Sequence, residues 1–382
     1  MTSLTAQTAA KTIPSTAAAL PALAPAAAPP PDGYLRPFAN ERLNSRLGNR
    51  LPSGDWKETW SVSIDAAMAP TYLLTSGNSV LAVGRTACQA IGNGKVIAHI
   101  VSAGEDAELL PTSSEFLASD RYSRVGSFSL STGDPTGYLS ANGGDDTMRT
   151  FVHRRGAHTV VASFDGSSSP HKAVKKQVVY LQIFNGDAET AARDGEMPRL
   201  ALAMHNDFIV LARAGAIEFL DLTLQALRRI DGAMKPQGLS VDESGRVYLV
   251  CEAGQKQQLW IVAPSGEYQS VAMPSAVFHR PPVVGFDHRV YLLALNKIVT
   301  VDASGKPGWV YDAPARVAGA TVTADGMLLA GVGDSVVSLD STGRARTLCR
   351  TPGEQLMASP ILSADNKLLV LTDRKVHSFS AG

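Results

Sequence analysis

The sequence carries no surplus of either charge: lysine plus arginine and aspartate plus glutamate each number 35 among 382 residues, for a formal net charge of zero. A protein that binds nucleic acid or an anionic membrane surface non-specifically draws on a basic excess, so no nucleic-acid partner is expected. The nearest approach to a basic patch, His171, Lys172, Lys175 and Lys176, reads as an exposed loop between strands. Cysteine is also scarce. Cys88, Cys251 and Cys349 lie far apart, with no C-x-x-C pair and no histidine at metal-ligand spacing, which excludes a disulfide framework and a zinc module and leaves buried free thiols. No window of about twenty apolar residues occurs, so a membrane-spanning helix is not expected.

Chemical motifs are missing as well. There is no G-x-S-x-G elbow, no H-E-x-x-H, no phosphate loop and no dinucleotide fingerprint. The run GNGK at 92–95 has no following helix and reads as a hairpin turn. Asp145 and Asp146 offer oxygen ligands of the kind calcium takes, but two carboxylates do not make a site. The histidines considered for a lyase-type base, His279 and His288, and the pair His205 and Asp207, fall in or beside turns where polar residues need no functional reason. No catalytic, cofactor or metal residue is therefore assigned, and no cofactor is expected.

What is present begins with composition. Residues 1–32 are alanine, proline, threonine and serine with almost no charge, too little bulky apolar surface to offset the cost of ordering a backbone. They read as a disordered tether. Prolines at 14, 21 and 25 interrupt the best apolar run and no basic start precedes it, so no signal peptide is read. A cytoplasmic protein, or one within a cytoplasmically assembled particle, is the resulting expectation. Residues 33–54 form a linker or docking segment in which Tyr34, Leu35, Phe38, Leu43, Leu47 and Leu51 stand among arginines. The four-residue spacing of Leu43, Leu47 and Leu51 sets one apolar face of a short helix, directed to a partner or back onto the protein's own body.

From residue 55 to 382 the pattern is one of short apolar runs separated by Gly, Asp, Asn and Pro, the signature of many strands. GLSVDESGRVYLVC (238–251), VVGFDHRVYLLAL (283–295), TVTADGMLLAGV (321–332) and ILSADNKLLVLT (361–372) each read as strand, tight turn, strand. The residues after the turn, Arg246, Arg289, Met327 and Lys367, are separated by 43, 38 and 40 positions. A period near forty is that of a four-stranded propeller blade. Second strands are read near Val80, Val125, Thr159, Phe208, Val247, Val290, Leu328 and Leu368, giving an all-β propeller of eight blades, with seven as the alternative. The last run reaches Gly382 without room for an outer strand, and 53–65 resembles the missing one, so the first strand is expected to close the last blade, with Trp56 and Trp60 as packing residues.

The segments 281–314 and 359–382 resemble the repeats of pyrroloquinoline-quinone-type propellers, the quinoprotein and outer-membrane-assembly group, and 238–268 also resembles NHL and streptogramin-lyase-like repeats. The resemblance implies a fold rather than a chemistry. A quinoprotein dehydrogenase is expected to carry adjacent cysteines and a tryptophan-rich repeat set, which this chain lacks, so no catalytic residue is carried over. The expectation is a non-catalytic scaffold that binds other protein subunits of a larger assembly. The alternative is an enzyme or small-ligand-binding propeller, lyase-like or carbohydrate-binding, with its site at the central channel.

Overall fold

The computed structural model describes residues 9–11 and 47–382 apart from short internal stretches, the longest being 140–148 and 165–177. Eight antiparallel four-stranded blades, seven of them with their four strands in sequential order, form a ring. Blade 1 runs from Pro70 to Ile100, blade 2 from Ala103 to Leu139, blade 3 from Arg149 to Glu196 and blade 4 from Ala201 to Asp231. Blade 5 runs from Lys235 to Ala272, blade 6 from Val283 to Asp312 and blade 7 from Val317 to Arg350. First strands touch one another between blades 1 and 2, 2 and 3, 4 and 5, and 6 and 7, which places them around the axis. Ala9–Lys11 lies antiparallel to Tyr268–Ala272, as a fifth strand on the outer edge of blade 5.

Blade 8 is composite. Its three inner strands are Ile361–Leu362, Leu368–Leu371 and Lys375–Ala381, and its outer strand is Trp56–Ser63 from the other end of the chain. Trp56 pairs with Ala381 and Ser63 with Lys375, as the sequence led us to expect. One of the eight strand marks falls elsewhere. Val125 opens the third strand of blade 2, because the true second strand, Glu115–Asp120, has charged residues at both ends that hide its apolar centre, Phe116-Leu117-Ala118.

The burial pattern explains the strand types. Second and third strands are covered on both faces by adjacent blades, so Leu328–Val332 and Ala216–Leu220 are buried at every position and read as continuous apolar runs. Outer strands face solvent on one side and alternate, as in Ala226–Asp231.

Turns between third and outer strands repeat one device. Asp302 Oδ1 accepts from the backbone N–H of Ser304 at 2.9 Å, the Ser304 hydroxyl at 2.6 Å and the Lys306 N–H at 2.9 Å. Asp340 does the same with Thr342 and Arg344, and Asp221 with Thr223 and Gln225. The residue that follows the hydroxyl is left-handed: Gly305 at φ 82°, Gly343 at φ 84° and Leu224 at φ 62°.

These turns also join the blades. The Trp309 ring, on the outer strand of blade 6, lies against Gly343 of blade 7 and its Nε1–H donates to Ser341 O at 3.1 Å. Gln269 of blade 5 lies over Gly305 and donates to Ser304 O at 2.7 Å, while Trp60 of blade 8 covers Gly94 of blade 1. Gly94 and Asn93 form the GNGK hairpin turn, both with positive φ. Buried Trp56 and half-buried Trp60 both contribute to the core at the ring's closure.

A Cβ at Gly343 would stand 2.7 Å from the Trp309 ring on a backbone that disfavours side chains. We expect Gly343→Val to lose about 1–3 kcal/mol of stability, read from urea denaturation, and to lose less, but still the cost of the positive-φ backbone, if Trp309→Ala is already present.

Candidate functional site

The turns between first and second strands repeat one form in the later blades. In blades 5 to 8 they share a backbone: the first residue's N–H bonds to the carbonyl four positions on, and the fourth residue is left-handed. That fourth residue is Gly245, His288, Gly326 and Asn366 in turn, at φ 79°, 60°, 80° and 61°. In blades 7 and 8 the turn opens with a hydroxyl, Thr323 or Ser363, bonded to Asp325 or Asp365 two positions on.

Blades 5 and 6 depart from this scheme where they meet. Asp242 stands in place of the hydroxyl, and its side chain is fully buried. Its Oδ1 takes the turn's own donors, Ser244 and Arg246 N–H, in the manner of the aspartate turns above. Oδ2 accepts from the Tyr248 hydroxyl at 2.8 Å and lies 2.8 Å from Nδ1 of His288 in blade 6. Burial alone would raise the Asp242 carboxyl, but the hydrogen bonds from Ser244, Tyr248, Arg246 and His288 outweigh it and hold it below the usual carboxylate range. Burial, with the adjacent carboxylate, pushes the Tyr248 phenol up.

A non-glycine residue in the left-handed region costs about 1–2 kcal/mol, and at His288 that cost is offset by a hydrogen bond to a buried carboxylate. The pair links two blades and orients an imidazole that is 39% exposed. His205 takes a comparable place in blade 4: it is buried, stacked on Phe208 at 4.5 Å, with Nε2 3.2 Å from Glu243 O of blade 5. Both histidines are thus ties between blades. Asp242, the partner of His288, and Tyr248, which bonds the same carboxylate, were missed. The available signal was the substitution of aspartate for serine or threonine at the first turn position.

These turns also anchor the segment that enters the ring. Leu47 N–H donates to Val322 O at 2.7 Å, Ala324 N–H to Asn49 O at 2.7 Å, and Leu51 N–H to Asp325 Oδ1 at 3.1 Å. The Asn49 amide bridges to blade 8 through Ser363 O at 3.2 Å and Asn366 Oδ1 at 2.8 Å. Leu47 is buried in the core and Leu51 packs against it. Of the apolar residues read as a docking stripe, these two lie on the protein's own body, and Tyr34, Leu35, Phe38 and Leu43 fall outside the described residues, as do Asp145, Asp146, His171, Lys172, Lys175, Lys176, Asp207 and the side chain of His279.

Elsewhere, a pocket of about 430 Å³ opens between blades 6 and 7, with Tyr311, Asp334, Ser335, Thr347 and Arg350 in its wall. Its wall combines the outer strand of blade 6 and the connection after it with the turn at 333–334 and the third and outer strands of blade 7. Among the described residues no group of three or more His, Cys, Asp or Glu side chains is placed to hold a metal ion, and no helix is long and apolar enough to cross a membrane.

No protein-family profile matches the chain and no curated protein matches it in sequence. Solved structures do match. BamB from Moraxella catarrhalis is 14% identical, with 85% of this chain and 99% of that one covered at a TM-score of 0.62. The quinohemoprotein alcohol dehydrogenase ADHIIG from Pseudomonas putida HK5 is 10% identical over 92% of this chain and 80% of its own, at 0.68. A europium-containing methanol dehydrogenase is 10% identical over 89% of both, at 0.63. The fold is that of a pyrroloquinoline-quinone-type propeller. The likeness to these structures corrects the cytoplasmic expectation: BamB and the quinoprotein dehydrogenases are periplasmic or outer-membrane-associated proteins. The prolines at 14, 21 and 25 and the missing basic start carried that expectation.

The lowered Asp242 carboxyl contributes stability that is fully present above the unfolded value, about 4, and is lost as pH falls through the lower folded value. Asp242→Asn is expected to cost about 1–3 kcal/mol at neutral pH and to flatten the decline in urea stability below about pH 4. The three thiols, each pushed up to about 12 by burial, should react with a thiol reagent only after unfolding.

Proposed function

We propose that this propeller is a non-catalytic scaffold that holds other protein subunits in a larger assembly, with its N-terminal arm as the tether. One observation carries the reading. Residues 47–51 are bonded across the turns of blades 7 and 8, so the chain ahead of Leu47 joins the ring at these turns, and that attachment spans two blades. An arm held at a defined point on a rigid ring brings a bound partner to one face instead of letting it swing freely, which raises its effective concentration there. The likeness to BamB, an assembly-type propeller by resemblance, supports the same reading at the level of fold. So does the formal net charge of zero, which favours neither nucleic acid nor anionic lipid.

The arm offers Tyr34, Leu35 and Phe38 ahead of the anchored residues, and aromatic anchors of this kind dominate protein interfaces. Replacing all three by serine in the full chain leaves the anchored residues Leu47, Asn49 and Leu51 untouched. We expect affinity capture from the native source to lose the main co-purifying subunits at least about tenfold, with the melting temperature unchanged. Undiminished recovery by the triple variant would remove the arm from the account.

A further inference from the structure

The seam that closes the ring contains a buried histidine which the scaffold reading does not use. His377 lies on the third strand of blade 8 and its side chain is 6% exposed. Its Nε2 is 2.7 Å from Glu354 Oε2 and its Nδ1 is 3.3 Å from Glu58 Oε1. Glu354 belongs to the segment joining blade 7 to blade 8, and Glu58 to the outer strand supplied by the N-terminal end. Carboxylates accept hydrogen bonds and do not donate them, and a neutral imidazole has one N–H. Both contacts are therefore hydrogen bonds only when the ring carries both protons.

The surroundings favour the ionised form of Glu354, whose other oxygen is shared with the Lys375 ammonium. Burial alone would raise the Glu354 carboxyl, but hydrogen bonds from Thr372, His377 and Lys375 outweigh it and hold it below the usual range. Thr372 donates to Oε2 at 2.7 Å, and Lys375 Nζ is 3.3 Å from Oε1. On the adjoining turn Asp373 and Arg374 pair with each other at 3.6 Å. Val370 faces His377 from the second strand, Ser61 from the outer strand, and Phe379 stacks on it at 6.1 Å. Glu58 is 45% exposed and holds the longer contact.

We propose that His377 is an acid-tightened clasp on the closing seam, tying the N-terminal strand through Glu58 to the C-terminal strand and the Glu354 segment. When the imidazole gives up a proton it keeps the shorter, buried bond to Glu354 and turns a lone pair towards Glu58. The seam then holds by its backbone ladder alone on that side, and the strand Trp56–Ser63, with the anchored segment and arm ahead of it, opens more readily. The clasp is complete when the imidazole carries both protons and is lost when rising pH removes one of them.

Hydrogen exchange of the full chain, read by mass spectrometry on the peptide covering 56–63 at about pH 5.5 and about pH 8 and corrected for intrinsic rates, tests this. The expected result is protection at least about twofold higher on the acid side, with no such change in the strand Ile209–Arg213 of blade 4. Glu58→Gln and His377→Gln should both abolish the difference, and 15N-histidine spectra should show both His377 nitrogens protonated on the acid side. Protection that does not change with pH, or a difference that survives in Glu58→Gln, would overturn the clasp. Because Glu58 is half exposed, that variant decides the matter even if His377→Gln does not fold.

Discussion

Every blade is a four-stranded sheet with two apolar faces, and neither face can be left to water. A helix or a single-faced sheet solves this with one partner; a blade needs a neighbour on each side, and only a closed ring provides one for all of them. Pairing of Trp56–Ser63 with Lys375–Ala381 is the interaction that meets this demand. The largest cluster of buried residues accordingly gathers both chain ends, joining Leu47, Trp56 and Ile64 to Leu356, Val370 and Phe379. The remaining blades are local in sequence and close their own hairpins, so the long-range cost of the fold is concentrated at this seam.

Repetition of the turns then governs where chemistry can enter. A turn whose backbone is fixed by its own hydrogen bonds tolerates an unusual side chain if the side chain finds a partner. Asp242 and His288 are two such departures, and they meet each other across a blade boundary. At blades 7 and 8 the ordinary turn residues Asp325 and Asn366 instead receive the incoming segment. These turns therefore combine inter-blade ties with the attachment of the arm. This arrangement suits a rigid platform that holds something at a fixed place.

The fold was legible because its determinants are local. A forty-residue period, Asp-Gly and Asp-Asn steps at positive-φ positions, and the likeness of 53–65 to an outer strand each follow from short stretches of chain. Blade 2 was misread by one strand because Glu115 and Asp120 mask the apolar centre between them. The candidate site was less legible. That His288 sits in a turn is visible in sequence; that its imidazole reaches a carboxylate 46 residues earlier depends on the placing of one blade beside the next. The same holds for His377, whose partners Glu354 and Glu58 lie 23 and 319 residues away. Leu47 and Leu51 were recognised as apolar residues needing cover, but the spacing alone left open whether a partner or the ring supplied it.

The most direct test of the closed ring is a cross-link of its seam. Lys57 and Ser380 are opposite one another in the closing pair, and the native thiols Cys88, Cys251 and Cys349 are buried. The double variant Lys57→Cys, Ser380→Cys should form an intramolecular disulfide on mild oxidation and gain about 2–4 kcal/mol of stability, measured against its reduced form. A variant that stays reduced, or forms only disulfide-linked dimers, would contradict closure of the propeller by its two chain ends.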